Sequence, residues 1–461
     1  MPRPSDQILT VAQMRAAEAV LIAGGTSVDE LMQRAGRGGA EWVWRLAAHR
    51  PVTVLCGPGN NGGDGYVIAE TIRERGGTVA VIASDEPRTD AARNARALYR
   101  GEIVGSAQGE VMVDCLFGSG LTRPLGERDF ALLGSLAASH RQRIAVDLPS
   151  GIESDSGSAL NTGLPAYDLT IALGAWKFAH LLMPACAASR ALKVVDIGLH
   201  GTEGAASVIE RPHLGAPGAT AHKYTRGLLA VVGGAMPGAA ILAATAAQRG
   251  GAGYVKLMGE GTVPADMVRD TAPLDAALSD QRIAALLVGP GLGRDTKDRE
   301  RLAASLGCDR PAVLDADALM LLAPGDLAGR AAPLIVTPHE GELRQLEAAF
   351  GLPGTGSKPE RALALARAGS MIVVAKGPAT VVAAPDGRIA CAHPASSWLS
   401  TAGTGDVLAG AIASRLATGV EPFTAACEGV WLHGEAARLL GPAFTASALA
   451  ASIGDAYAAA L

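Results

Sequence analysis

At 461 residues the chain is long enough for two or three cores, and its 49% hydrophobic and 18% charged content, with 58 glycines and few aromatics, excludes a disordered chain. A net charge of −5 with no block of Lys and Arg excludes an extended nucleic-acid or anionic-membrane surface. The six cysteines, at 56, 115, 186, 308, 391 and 427, have neither C-x-x-C nor metal-ligand spacing, and "MPRPSDQILT" lacks the apolar core of a signal peptide. Reduced thiols in a cytoplasmic protein are expected.

In chain order, Thr10 with Gln13 and Ser27 with Glu30 carry capping-box patterns and predict two opening helices. "VTVLC" (52–56), a helix from about 65 to 75, "TVAVIA" (78–83), "VMVDCLF" (111–117), "RIAVDLP" (143–149) and "DLTIAL" (168–173) then read as buried strands and a helix of a largely parallel sheet. Residues 199–222 turn small, Gly/Pro-rich and aperiodic, which marks a junction. Beyond it "GLLAVVG" (227–233), "AALLVG" (284–289), "PAVLDA" (311–316), "PLIVTP" (333–338), "MIVVAK" (371–376) and "ATVVAA" (379–384) predict a second α/β series with no sequence repeat of the first. The uncharged run 228–247 is as long as a membrane span, but Gly233, Gly234, Pro237 and Gly238 break it, so strand, loop and helix are expected.

The loop "CGPGNNGGDGY" (56–66) contains Gly57-x-Gly59-x-x-Gly62, the spacing of a dinucleotide-binding loop. Small neutral residues suit such a loop, whereas here Asp64 adds a carboxylate and Asn60 and Asn61 add amides, a set suited to proton transfer or to holding a cation. "DCLFGSGLTRPL" (114–125) and "DLPSGIESDSG" (147–157) bring Asp114 and Asp147 to strand ends at the same sheet edge. With Asn61 and Ser150 they offer oxygen ligands for a hard monovalent cation; taken alone, either aspartate could simply satisfy loop amides. These three segments, in this order, resemble the NAD(P)H-hydrate epimerase family over nearly all of residues 1–210. The resemblance implies that Asn60, Asn61, Gly62, Gly63 and Asp64, the loop Gly118, Ser119, Gly120, Leu121, Thr122, Arg123 and Pro124, and Asp147 contact the hydrated nucleotide, and that Asn61, Asp114 and Ser150 bind potassium. Lys177, in "LGAWKFAH", either lines this site or is a solvated lysine. Gly-Ser-Gly at 118–120 replaces the family's usual Gly-Thr-Gly.

In the second half, "STAGTGDVLAGAIASRL" (400–416) frees the amides of Gly403 and Gly405 for a phosphate, starts a helix immediately after, and puts Asp406 at its mouth. An anion hole beside a base suits transfer of a terminal phosphoryl group to a substrate hydroxyl. "GTGD" resembles the ribokinase-like kinases. Together with "GPGLG" (289–293), "DADAL" (315–319), "TPHEGE" (337–342) and "AKGPAT" (375–380), it resembles the ADP/ATP-dependent NAD(P)H-hydrate dehydratase family over roughly 220–455. That implies that Lys376, Gly377, Pro378, Ala379, Thr380 and Gly405 hold the adenine nucleotide, with Gly238, Gly291, His339 and Asp406 along the hydrate. Glu340 stands where the family commonly has proline, which puts the rigidity of that loop in question. No asparagine follows Asn161, so the Asn-x-x-Glu magnesium motif of many sugar and vitamin kinases is absent, and Glu342, with Asp315, is the candidate to hold magnesium through water.

The expectation is therefore a Rossmann-like three-layer α/β domain over 1–210 and a ribokinase-like α/β domain over 211–461. The first would interconvert R- and S-NADHX or NADPHX through Asp64 and Asp147. The second would dehydrate the S form with ADP or ATP through Asp406, and the resemblance favours ADP. Neither a nucleic acid nor a membrane is an expected partner, and a homo-oligomer is expected. Three other readings stay open on the residues: a dehydrogenase with Asp85 on the ribose, a small-molecule kinase with a regulatory first domain, and a first domain reduced to a scaffold.

Overall fold

The computed structural model describes residues 6–461, and its contacts divide the chain into two compact units, one reaching to Ser207 and the other spanning Val208–Leu461. In the first unit seven strands form an all-parallel sheet. Its spatial order is Glu102–Ile103, Val79–Ala83, Val52–Cys56, Gly109–Cys115, His140–Val146, Leu169–Leu173, Leu192–Val195. The chain enters at Val52–Cys56, runs outward to one edge, then returns to the other side of its starting strand. This reversal between Val52–Cys56 and Gly109–Cys115 opens a crevice beyond the strands' carboxyl ends, where parallel sheets bind ligands. The loops after these two strands hold the Asn-Asn-Gly-Gly-Asp and Gly-Ser-Gly segments. They pack so tightly that a Cβ on Gly57 would lie 1.8 Å from the Leu116 carbonyl oxygen, so no other residue fits.

In the second unit the spatial order is Ile389–Ala392, Val381–Ala383, Ile372–Ala375, Leu334–Val336, Ala312–Leu314, Ile283–Val288, Leu228–Val232, Tyr254–Met258, Val268–Asp270. The two pairings at the Ile389–Ala392 end are antiparallel and the rest are parallel. Here the reversal falls between Leu228–Val232 and Ile283–Val288. Met236 N donates to Gly291 O at 2.9 Å and Ala235 N to Leu292 O at 3.0 Å, stitching the loops after those strands together. The buried residues of the helix Pro237–Arg249 are all alanine, and the helices Thr404–Ala417 and Pro422–Leu440 bury alanine among larger apolar side chains in the same core.

Most expected strands are present with trimmed ends, and 228–247 is strand, loop and helix; no helix among the described residues is long and apolar enough to cross a membrane. Asp114 lies at the end of the strand Gly109–Cys115, as expected, and is tolerated there because four donors satisfy its carboxylate. Three expectations need correction. The helix placed at 65–75 spans Asn60–Glu74, because Asn60 and Asn61 already lie in its first turn. Thr10 and Gln13 form the reciprocal box, but at Ser27 only the hydroxyl half forms, since the Glu30 carboxylate pairs with Arg34 at 2.9 Å instead. The region 199–222 is not wholly irregular: it contains the strand Ala206–Ile209, whose Ala206 and Ser207 pair antiparallel with Ile8 and Gln7.

Candidate functional sites

The crevice of the first unit is a cavity of about 860 Å³ whose walls include Asn60, Asn61, Asp64, the whole loop 118–124, Asp147 and Lys177. Asp64 occupies the second turn of the helix Asn60–Glu74 and is 7% exposed. Its carboxyl takes no hydrogen bond or ion pair from the described side chains. Burial, then the like charges of Asp147 and Glu18, push its pKa well above the carboxylate range, against the pull of Lys177. Asp147 behaves oppositely. Burial again opposes its charge, but Lys177 Nζ lies 2.7 Å from Oδ1 and the Ser119 N–H donates to Oδ2 at 2.7 Å, and together they hold its pKa below the usual value. Two aspartates in one cavity are thus pushed in opposite directions, Asp64 toward its protonated form and Asp147 toward its ionised form, an arrangement suited to acid/base chemistry.

Lys177 is 1% exposed and also donates to Leu173 O at 2.7 Å, so the solvated reading of this lysine is wrong. His180 locks the pair from behind. Its Nδ1 accepts the Lys177 N–H at 2.8 Å, which leaves the proton on Nε2 to donate to the Asp147 carbonyl at 2.7 Å. Burial lowers its pKa to about 4 and keeps it neutral. Asp147 adopts φ +64°, a left-handed conformation that costs a non-glycine residue on the order of 1–3 kcal/mol and concentrates at functional sites. Gly118 is required beside it, since a Cβ there would lie 2.6 Å from Asp147 Oδ2 and 3.3 Å from the Asn61 amide carbon.

Asn61 Oδ1 and Nδ2 are both buried without a hydrogen-bond partner. Beneath the loops, Ser150 Oγ donates to Asp114 Oδ1 at 2.7 Å and accepts the Phe117 N–H at 2.9 Å. Asp114 is fully buried, and desolvation raises its pKa despite bonds from Tyr167 and Ser150. Thr89 Oγ1, unmarked in the sequence, fixes Asn60 Oδ1 at 2.6 Å. The first helix, Val11–Ala23, was expected as a helix but not as part of the site; it brings Val11, Met14, Arg15 and Glu18 to the cavity. The available signal was the pair of charged residues sharing an i, i+3, i+4, i+7 stripe with apolar ones.

In the second unit Gly403 takes φ +90° and caps the helix Thr404–Ala417, whose first turn carries Asp406. Burial, then the like charge of Asp315, lift the Asp406 pKa to about 7; Lys376 opposes this and Asp317 adds to it. Lys376 Nζ reaches Asp315 Oδ1 at 2.5 Å and Glu342 Oε2 at 3.8 Å, and a Cβ on Gly405 would stand 3.5 Å from the same ammonium. Thr337 Oγ1 donates to Asp315 Oδ1 at 2.7 Å. Lys358 Nζ donates to Lys376 O at 2.8 Å and Ala379 O at 2.6 Å, bracing the turn of Gly377, Pro378 and Thr380. Asp317 holds the Gly293 N–H at 3.1 Å and Arg294 Nε at 2.6 Å beside Gly291, while Gly238 opens the helix that follows Met236.

His339 caps the helix Glu340–Ala349: Nδ1 accepts the Gly341 and Glu342 N–H groups at 3.0 and 3.3 Å, and the imidazole stays 61% exposed. Glu340, where the family commonly has proline, opens this helix and pairs with Arg344 and Arg361, each at 2.9 Å. His433, also unmarked in the sequence, donates through Nε2 to Thr404 O at 2.9 Å and steadies the start of the Asp406 helix.

Comparison with known proteins matches residues 28–179 to the family model described as YjeF-related protein N-terminus, and residues 229–458 to the model described as NAD(P)H-hydrate dehydratase. A bifunctional NAD(P)H-hydrate repair enzyme from Salinibacter ruber is 34% identical, covering 94% of this chain and 92% of its own. One from Mycobacterium tuberculosis is also 34% identical, covering 90% of each chain. Among solved structures, the ADP/ATP-dependent NAD(P)H-hydrate dehydratase of Bacillus subtilis, co-crystallised with ATP and Mg²⁺, is 28% identical with a TM-score of 0.48, covering 54% of this chain and 95% of that one. Matched nearly end to end at 34% identity, the chain belongs to the family of bifunctional NAD(P)H-hydrate repair enzymes.

Proposed function

We propose that the protein repairs hydrated nicotinamide nucleotides, with residues 1–210 as the epimerase domain and 211–461 as the dehydratase domain. The observation that carries this reading is an unpaired, protonation-prone aspartate beside a buried Lys–Asp pair in each half of a chain 34% identical to named repair enzymes. In the first cavity, Asp64 donates a proton to the departing 6-hydroxyl of the hydrate, and ionised Asp147 accepts one from the water that returns. The loop 118–124 and Asn60 orient the nucleotide. Potassium fits the floor, because Asn61 Oδ1 is a buried oxygen without a partner and Asp114 and Ser150 add hard oxygen donors. When bound, potassium supplies a positive charge that ties these loops together.

In the second unit, Asp406 takes the proton of the S-hydroxyl as that oxygen attacks the terminal phosphoryl group of ADP or ATP, and the free amides at the helix start bind phosphate. Phosphate then leaves C6, a neighbouring ring proton is lost, and NADH or NADPH is restored. A pKa near 7 suits a base at neutral pH. Lys376 to Thr380 and Gly405 hold the nucleotide, with Gly238, Gly291 and His339 along the hydrate. Glu342 and Asp315 would hold magnesium through water, and the bound ion would supply positive charge against the phosphates.

The test is incubation of mixed NADHX epimers with ADP and magnesium, followed by chromatography. Loss of both epimers with matching NADH and phosphate supports the reading. Persistence of the R form sinks the first half, and persistence of both sinks the second. Replacing potassium by sodium is expected to slow exchange only.

A further inference from the structure

The segment that closes the first cavity lies outside the matched family model, which begins at residue 28. Val11, Met14, Arg15 and Glu18, spaced i, i+3, i+4 and i+7, form one face of the helix Val11–Ala23 and line the cavity together with Asp64, Asp147 and Lys177. This wall is fixed in place. The Val11 N–H donates to Asp155 Oδ1 at 2.9 Å, Gln13 Nε2 donates to Gly204 O at 3.0 Å, and Thr10 and Gln13 close the capping box.

Glu18 is half-buried, and no described residue hydrogen-bonds to or pairs with its carboxylate. The neighbouring Glu30 on the following helix, by contrast, pairs with Arg34. The charged groups facing Glu18 are Lys177 and Asp147 across the cavity, Arg15 on its own helix, and Asp64. Lys177 is already committed to Asp147 and Leu173 O, so it does not neutralise Glu18. Burial, against Lys177 and with Asp147, raises the Glu18 pKa above the ordinary value. A nucleotide filling the cavity would strip water from this carboxylate and leave it in want of a positive partner.

We propose that Glu18 is a third catalytic carboxylate of this cavity, stabilising the positive charge that forms on the nicotinamide ring while the C6 hydroxyl is off. The inference rests on the epimerase reading above. The C6–O bond breaks with its electron pair going to oxygen, which takes a proton from Asp64 and departs as water. The N1 lone pair closes onto C6, so the ring becomes a cation. Water adds to the other face of C6, its proton goes to Asp147, and exchange with solvent restores both carboxyl groups. No oxidant or cofactor is consumed. The step leaves the ring cation and the Asp64 carboxylate together; Asp147 is held by Lys177, and Glu18 is the remaining carboxylate of the cavity with no partner among the described residues, placed to share in offsetting the ring charge.

The experiment uses the full-length protein with separated S-NADHX, no nucleotide, and chromatographic detection of the R form. Glu18→Gln keeps shape and removes charge. Its kcat for exchange is expected to fall roughly 10- to 100-fold, below the ~10²–10³-fold of a fully enclosed stabilising group because Glu18 is partly open to water, with KM changed less than about threefold. Glu18→Asp should recover part of the loss. A wild-type kcat, or a change in KM alone, overturns the proposal. So does an exchange rate for Glu18→Asp no better than for Glu18→Gln, which would make fit rather than charge the cause. If the unaltered protein dehydrates the S epimer with ADP but never exchanges R and S, the epimerase reading itself has failed, a result separate from any effect of the variant.

Discussion

The two units solve one electrostatic problem at different depths. Each places an aspartate with no partner among the described residues near the start of a helix, beside a lysine already neutralised by another aspartate: Asp64 beside Lys177–Asp147, and Asp406 beside Lys376–Asp315. Since the lysine's charge is committed, burial and like charge prevail at the free aspartate and raise its pKa. In the first unit the device is closed: Lys177 is 1% exposed and His180 clamps Asp147 through its carbonyl, so the Asp64 pKa is driven far up. In the second it is more open, and Asp406 settles at about 7. The difference matches the roles proposed above: Asp64, as the acid that would give a proton to a leaving hydroxyl, is pushed toward its protonated form, while Asp406, as the base that would take one, is poised near neutrality.

The sharpest way to break this comparison is to remove each free carboxylate. Asp406→Asn is expected to lower ADP-dependent dehydration roughly 10²–10⁴-fold and leave R/S exchange intact, while Asp64→Asn does the reverse, as measured by chromatography of separated epimers. Loss of both activities from either change in a folded protein would show that the sites are not independent. Next in size is the buried pair. Lys177→Met strands the Asp147 charge and should cost about 3–5 kcal/mol in denaturant unfolding, whereas Lys376→Met should cost less, because Lys376 is 15% exposed against 1% for Lys177 and water can reach that site. Equal losses would mean that the two pairs are equally enclosed.

ADP or ATP at one hundred times its dissociation constant should stabilise the protein by about 2.7 kcal/mol, and Asp64→Asn should leave that protection unchanged. Calorimetry checks both. The smallest effect concerns pH. If Asp406 acts as the base, dehydration should rise with pH through about 7 and then level, and Asp315→Asn should move that rise to lower pH by removing a like charge and releasing Lys376. Stability runs the other way. A carboxyl whose folded pKa exceeds its unfolded one contributes stability that is full below about pH 3.8 and lost as pH rises through about 7. Asp406→Asn should therefore gain in melting temperature over the unaltered protein between pH 5 and pH 8, with no further gain above.

Local rules made much of this legible. Alternating buried strands and glycine turns announce parallel sheets, and Thr10 with Gln13 marks a helix start, because such signals act over a few neighbouring residues. "GPGNNGGDG" and "AGTGD" could be singled out for the same reason, as each loop carries its chemistry within a few residues. Tyr254–Met258 was passed over as a strand, since Lys256 interrupts its apolar run; only in three dimensions do Asp270 and Asp280, at 3.0 and 3.3 Å, make that lysine acceptable there.

What the sequence by itself determined, then, is which residue types stand at which strand ends and helix starts, because propensity, capping and backbone geometry are local. Only the tertiary structure decided the charge states. Whether Asp64 is an exposed helix-start charge or a buried acid, whether Lys177 is solvated or clamped to Asp147, and whether Glu18 is surface or cavity wall depend on burial and on neighbours dozens to over a hundred residues away. Desolvation and Coulomb terms are summed over space, with no regard to order along the chain.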